Sequence, residues 1–249
     1  MILTPDWPAP GNVHAAFTLR TGGVSAPPYD TLNLGAGIGD SEEAVAENRR
    51  RLAEQVSWPA EPVWLEQVHG TTVIDLDQDD PATRAAPGRP PQADGAVARR
   101  GGRVCVVRVA DCMPVLFAAR DGSVVGAAHA GWRGMAGGVL EAAVRRLDVP
   151  PQELLAWMGP AIGPGHFEVG EDVRAAFLTV DAGAGAAFAP NTRGRWQCDL
   201  YVLARRRLAA LGIGGIHGGG WCTYADADRF YSYRRESRCG RMAALIWAT

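Results

Sequence analysis

Apolar residues fall along this chain in short unbroken runs, most of which stop at a turn residue. Val104, Val106 and Val107 lead into Ala110-Asp111-Cys112, and Pro114 to Ala119 forms a second run. Asp121-Gly122 supplies a turn. Ser123 to Ala128 forms a third run, ending at His129 and the turn Ala130-Gly131-Trp132-Arg133-Gly134. Runs of this length, bounded by glycine, proline or aspartate, predict buried strands. Beyond them Val139, Leu140, Ala143, Val144 and Leu147 recur at three- and four-residue spacing, which predicts a helix running on from the Gly131 to Gly134 turn.

The remaining pattern predicts alternating strands, helices and loops. Val13 to Leu19 suits a strand, followed by Arg20-Thr21-Gly22-Gly23-Val24-Ser25 and a turn-rich loop, Tyr29 to Gly39, that carries Asn33. Asp40-Ser41-Glu42-Glu43 opens a helix with a capping residue and acids in its first turn. Val45, Leu52 and Val56 lie on one face of it, and Trp58-Pro59 ends it. Val63 to Val68 predicts a strand running into His69-Gly70, and Val73 to Leu76 another. Asp77 to Gln92, acidic and then proline-rich, predicts a mobile surface loop before Ala93-Asp94-Gly95-Ala96-Val97. Leu154 to Met158 predicts a strand, Glu171 to Val180 a short helix and Ala182 to Ala189 a loop. Asp199 caps a helix bearing Leu200, Leu203 and Leu211, closed by Gly212. The last strand is Met242 to Trp247. With neither an internal repeat nor a boundary between two cores, the expectation is an α/β fold, mixed α+β, in one domain over residues 1–249.

Composition removes several classes of function. At 47% hydrophobic and 21% charged residues, the chain has the balance of an ordinary globular protein. A net charge of −2 excludes the strongly basic surface of a dedicated nucleic-acid binder. No apolar run approaches the roughly 20 residues that span a bilayer, so no membrane partner is expected. The first residues, Met1-Ile2-Leu3-Thr4-Pro5-Asp6, lack the pattern of a signal peptide, and the expected location is cytoplasmic. The cysteines, at 105, 112, 198, 222 and 239, should then be reduced, and no C-x-x-C pair suggests a zinc ribbon.

Candidate chemistry centres on His69, Cys112 and His129, each expected at the end of an apolar run beside a turn residue. Imidazole and thiolate are zinc donors, and three protein ligands leave one position for water or substrate. Taken singly, a cysteine after a strand is more often a small buried hydrophobe. A lone histidine near a turn is more often simply hydrogen-bonded. The case rests on three such residues meeting at one edge of a sheet.

The segments HAGWRG, VADCMPVLF, QVHG and ADGAV, at residues 129–134, 109–117, 67–70 and 93–97, closely resemble the bacterial laccase-domain, or polyphenol-oxidase, family. Its members are described as purine nucleoside phosphorylases, and some as peptidoglycan-editing factors. The likeness extends from residues 20–25 and 32–35 through 168–170 to Cys222-Thr223-Tyr224 and Phe230 to Arg235, nearly the whole chain. The resemblance implies mixed β-sheet layers flanked by helices, with zinc held by His69, Cys112 and His129. It also implies phosphorolysis of adenosine, inosine and methylthioadenosine, with adenosine deamination beside it. The partners are then a nucleoside and inorganic phosphate; the oligomeric state stays open.

Phosphorolysis needs a cradle for phosphate. Arg133, Arg20, Arg234 and Arg241 are candidate bidentate ligands, each equally readable as a structural ion pair, and Asn33 is a candidate for substrate binding. The helix expected to begin at Gly131 to Gly134 offers backbone N–H groups. Deamination needs a carboxylate, for which Asp111 beside Cys112, or Glu66 near His69, could serve; either could equally orient a histidine. Cys112, His129, Asp111 and Arg133 are thus the catalytic candidates. Two rivals stand beside this reading. A copper polyphenol oxidase with a multicopper cluster needs more histidines than the five here, although one Cu2+ could occupy the zinc site. A Cys–His amidase would use Cys112 as nucleophile and His129 as base, in competition with metal binding. Cys105 and Cys222 are expected in the core, and His166 is left outside the site. Trp132 either stacks on a purine or closes its turn.

Overall fold

The structure is a computed structural model that describes residues 1–78 and 89–249. The loop expected between Asp77 and Gln92 falls largely outside the described residues. The strands are β1 (Ile2–Leu3), β2 (Val13–Thr18), β3 (Val73–Asp75), β4 (Gly95–Ala98), β5 (Val104–Val109), β6 (Met113–Ala119) and β7 (Val125–Ala130). They continue with β8 (Leu154–Met158), β9 (Glu168–Val169), β10 (Phe188–Pro190), β11 (Trp196–Cys198), β12 (Gly215–Gly218) and β13 (Met242–Ala248). The helices are α1 (Glu42–Val56), α2 (Trp132–Gly137), α3 (Val139–Leu147), α4 (Glu171–Leu178) and α5 (Leu200–Ala210).

The described residues build a six-stranded sheet ordered β12-β8-β6-β7-β4-β3, a four-stranded sheet ordered β1-β2-β13-β5, and a small sheet ordered β10-β11-β9. The two larger sheets stack. Leu116, Ala118, Val125, Ala127 and Trp157 of the first meet Phe17, Cys105, Val107, Ala244 and Ile246 of the second in one buried cluster. Alternate residues of the six-stranded sheet, among them Val115, Phe117 and Ala156, pack instead against α3, α4 and α5 through Leu140, Val144, Phe177 and Leu203. The outer face of the four-stranded sheet meets Leu52 of α1 and the loop residues Leu32 and Leu34 through Val104, Val106 and Leu245. The order of layers is therefore helix, sheet, sheet, helix. A sheet covered on both faces needs apolar residues at almost every position, which is why β6 and β13 read as unbroken runs and β5 as a valine-rich one interrupted by Arg108.

Local chemistry explains most boundaries. Ser41 caps α1, accepting from Ala44 N, and Asp199 caps α5, accepting from Tyr201 N and Val202 N. Three expectations are corrected. Val63 to Val68 forms no strand; it keeps only a bridge from Glu66 to Gln92. Instead the Gln67 side chain occupies the open edge of β5: its Nε2 donates to Arg108 O (2.9 Å) and its Oε1 accepts from Arg108 N (2.7 Å). The helix expected from Gly131 onward is two helices, broken at Gly138, whose φ of 99° suits glycine. Residues 182–187 wind into a 3-10 helix capped by Asp181.

Candidate metal centre

The chain crosses from one large sheet to the other between β5 and β6, and Cys112 sits at that crossing. Asp111 before it takes a left-handed φ of 89°. His129 lies inside β7, opposite Pro114 of β6, rather than after the strand as the sequence suggested. His69 comes from the turn before β3, with φ 60°, and follows no strand. Their donor atoms nevertheless all lie within 4.8 Å of one another. Cys112 Sγ is 3.8 Å from His69 Nε2, and the two imidazoles meet edge to face with centroids 4.9 Å apart.

Gly131, directly after β7, makes this convergence possible. A Cβ there would stand 2.7 Å from Cys112 Sγ and 3.3 Å from His69 Cδ2, so no side chain fits. A buried carboxylate organises the rest. Asp94, fully buried, accepts from His129 Nδ1 at 2.8 Å. It also accepts from the backbone N–H groups of Val68 (3.2 Å), His69 (2.9 Å) and Gly70 (2.7 Å). One side chain thereby sets the turn that presents His69 and turns Nε2 of His129 toward the thiol. Neither Asp111 nor Glu66 does this. Asp94 stands in the ADGAV segment, but its partners come from residues far apart in the chain. The one local signal is an acid directly before a buried strand.

The electrostatics follow from burial and contact. Burial alone would push the Cys112 thiol up, but the His129 charge and hydrogen bonds from both histidines outweigh it and bring it to about 6. Burial works against charge on His129, yet the thiolate and Asp94 raise it to about 9. Asp94 is held below its ordinary value: its burial is overcome by His129 and the backbone N–H groups of Gly70 and Val68. Without a metal these groups form a thiolate–imidazolium pair backed by a carboxylate. Two imidazoles and a thiolate fit zinc and copper alike, and three protein donors are the number a catalytic zinc takes.

The group opens into a cavity of about 600 Å³. Asp111, Arg133, Arg234 and Arg241 line it, together with Trp132, Phe167, Tyr233 and Ile162. Arg133 stacks on Trp132 at 4.5 Å, and Arg234 stands 5.3 Å over Phe167 while donating to Glu168 O. Asp111 accepts from Thr223 Oγ1 (2.6 Å) and from Arg234 N (2.7 Å), so both oxygens are engaged in holding neighbouring segments. Two of the residues expected here lie outside the cavity lining. Arg20 pairs with Asp30 at 3.2 Å and donates to Ala227 O, tying the end of β2 to the segment before β13. Asn33 is buried behind Arg241, accepting from its backbone N–H at 2.8 Å. Arg108 and Gln67, which the sequence reading passed over, do line the cavity. Helix α2 is only six residues long. Cys222, expected in the core, is half-buried; its Sγ accepts from Gly163 N at 3.2 Å and lies 3.4 Å from His166 Nδ1. Cys105 is buried as expected.

Comparison with known proteins yields a consistent picture. A family model described as multi-copper polyphenol oxidoreductase laccase matches residues 14–249. A purine nucleoside phosphorylase of Pseudomonas aeruginosa is 53% identical over 98% of this chain and 97% of its own length. The purine nucleoside phosphorylase YfiH of Escherichia coli is 49% identical over 99% and 98%. The crystal structure of NMB0706 from Neisseria meningitidis superposes with a TM-score of 0.92 at 47% identity, covering 99% of this chain and 98% of that one. That of YlmD from Geobacillus stearothermophilus gives 0.87 at 31%, covering 96% and 92%.

Proposed function

The chain belongs to the multi-copper polyphenol oxidoreductase laccase family, and within it we propose a purine nucleoside phosphorylase that converts adenosine, inosine or methylthioadenosine and phosphate to free base and ribose 1-phosphate. One observation carries the reading: a single cavity joins the His69–Cys112–His129 group to arginines and to aromatic faces. Phosphorolysis needs both, guanidiniums for the oxyanion and a flat apolar wall for the purine. Phe167 and Trp132 supply the wall, each with an arginine against it. The arginines neutralise phosphate and orient it toward the ribose. In this reading the reaction takes place in the cytoplasm, with a nucleoside and inorganic phosphate as its partners.

His69, Cys112 and His129 would hold Zn2+, with Cu2+ the alternative. When bound, the metal supplies Lewis acidity toward a substrate or water oxygen, which also accommodates adenosine deamination as a side activity. Asp94 keeps His129 in the tautomer that offers Nε2, and Gly131 keeps the approach to Cys112 clear.

A second reading draws on the same thiol. A cysteine brought to about 6 beside an imidazole supports a Cys–His amidase acting on peptidoglycan precursors. Metal binding and nucleophilic attack by Cys112 exclude each other, so one experiment separates them. Purified protein and Cys112→Ala are incubated with adenosine, with and without phosphate, and products and zinc are quantified. The expected result is about one zinc per chain and phosphate-dependent release of adenine and ribose 1-phosphate, both lost in the variant. Metal-free protein with no base release and a rapidly alkylated thiol would move the assignment to the amidase.

A further inference from the structure

Beneath the loop at residues 33–38, three guanidiniums lie close enough for their charges to act on one another, and none forms an ion pair with a carboxylate among the described residues. Arg49 of α1 lies 3.8 Å over the Trp64 ring and donates to Leu34 O. Arg108 of β5 donates to Leu65 O, and Arg241 donates to Cys239 O and Gly240 O. Their recorded hydrogen-bond acceptors are carbonyl oxygens and, for Arg241, the Cys239 sulfur. The Nε atoms of Arg49 and Arg108 are buried and have no hydrogen-bond partner among the described residues. Glu61 is an acid whose charge acts on Arg49, though it forms no ion pair with it among the described residues. Glu61 accepts from Trp64 Nε1, and Asp40 accepts from Ser25, Asn33 and Ser41. Burial, and then the charge of the neighbouring arginine, lowers Arg49 to about 10 and lowers Arg108 as well.

Half-buried positive charges without an ion-pair partner are costly, and a fold that keeps three together has room for an anion that relieves them. Arg49 lies behind, lining a separate surface recess with Ala36 and Glu61. Arg108 and Arg241 line the metal cavity, beside Gln67, which is two residues from His69. The aromatic wall of Phe167 and Trp132, with Arg234 and Arg133 on it, belongs to other segments of the lining. Between the two groups stands Tyr233, next to Arg234 in the chain and with the Arg241 guanidinium 5.8 Å over its ring.

We propose that the Arg108–Arg241 side of the cavity is its phosphate subsite, taking a phosphate dianion against two guanidiniums, and that the purine lies on the Phe167–Trp132 side. The identity of the anion as a reactant rests on the phosphorylase reading. In the reaction one phosphate oxygen bonds to C1′ of the ribose as the C1′–N9 bond breaks. The electron pair leaves on N9, and the proton carried by the phosphate passes to the base. Arg108 is a binding residue in this scheme, and Asn33, which holds the Arg241 backbone, positions the second guanidinium.

The test measures phosphate and adenosine separately. Inorganic phosphate binding is followed by calorimetry, and KM is determined for each substrate, in the wild type, Arg108→Met, Arg108→Lys and Trp132→Leu. Loss of one charge-assisted contact predicts a roughly ten- to hundredfold rise in the phosphate Kd and KM for Arg108→Met. The adenosine KM should stay within about twofold, because phosphate contacts act on phosphate alone. Arg108→Lys should fall between, and Trp132→Leu should raise the adenosine KM alone. Melting midpoints and zinc content identify a variant that has merely lost its fold, in which case Arg108→Lys decides. An unchanged phosphate Kd in a folded Arg108 variant overturns the subsite. Phosphate binding that depends on Arg108 in a protein that releases no base keeps the subsite and overturns the phosphorylase reading. Adenosine 5′-monophosphate separates the two sources of the anion. If it binds in place of inorganic phosphate and loses affinity in Arg108→Met, the anion is the substrate's own and the phosphorolytic scheme is wrong.

Discussion

Asp94 decides how well the metal ligands are held, because a single carboxylate accepts from His129 Nδ1 and from three consecutive backbone N–H groups at residues 68–70. Asp94→Asn keeps the shape but sets an amide donor against one of those donors and removes the charge that fixes the His129 tautomer. Zinc affinity should fall roughly 10- to 100-fold, as read by competition with a chromophoric chelator. An unchanged affinity would show that β7 alone orients His129. The thiol gives a second prediction at this scale. In chelator-treated protein the thiolate forms through about pH 6, so alkylation of Cys112 should reach half its limiting rate there instead of near the ordinary thiol value of about 8.5. Stoichiometric zinc should suppress the reaction across the range; an ordinary profile would mean that His129 does not support the thiolate. The three proposed ligands are legible in the sequence because each sits beside a turn in a segment shared with the family. Asp94 is not legible, since its donors meet it only after β4 has paired with β7 and residues 68–70 have folded back. Arg108 is hidden for a related reason: a lone arginine inside a valine-rich strand gives no sign of which layer it faces.

The turn from β7 into α2 is the element on which the site is hinged. Its first residue, Gly131, leaves no room for a methyl group beside Cys112 Sγ and His69 Cδ2. Gly131→Ala must displace either the thiol or the imidazole, so zinc content should drop well below one per chain while the far side of the molecule is unaffected. Metal analysis with far-ultraviolet circular dichroism checks this, and a zinc-replete Gly131→Ala would mean that the turn can shift. Strands buried on both faces are legible from their unbroken apolar runs, β6, β8 and β13 among them. Val63 to Val68 opens on a shorter apolar run, Val63-Trp64-Leu65, and yet stays out of the sheet. Gln67 takes over the β5 edge with one amide side chain, a substitution of side chain for strand that no periodicity reveals. The helical spacing after β7 predicts one continuous helix through Gly138. Only the backbone angle of Gly138 separates α2 from α3.

The order of the four-stranded sheet links the two ends of the chain to the site. β13, the last strand, lies between β2 and β5, so neither of those strands reaches its full pairing until the end of the chain is in place. Met242 pairs with Val109, three residues before Cys112, and Arg241 enters the cavity directly before that pair. The same strand contributes Leu245 to the cluster under α1 and Ile246 to the cluster between the sheets. It therefore couples three layers and the arginine-lined part of the cavity. Ile246 is fully buried, and trimming it to alanine should cost about 2–5 kcal/mol of stability by the usual price of a core truncation. Deleting residues 242–248 is a different kind of change. It strips the ladder from β2 and from β5 and leaves the inner face of the six-stranded sheet uncovered. That variant should show no cooperative unfolding in urea and should bind no zinc, because β5 then no longer delivers Cys112 to the two histidines. Retention of tight zinc binding by the truncated chain would mean that the six-stranded sheet and the turn at His69 assemble the centre by themselves.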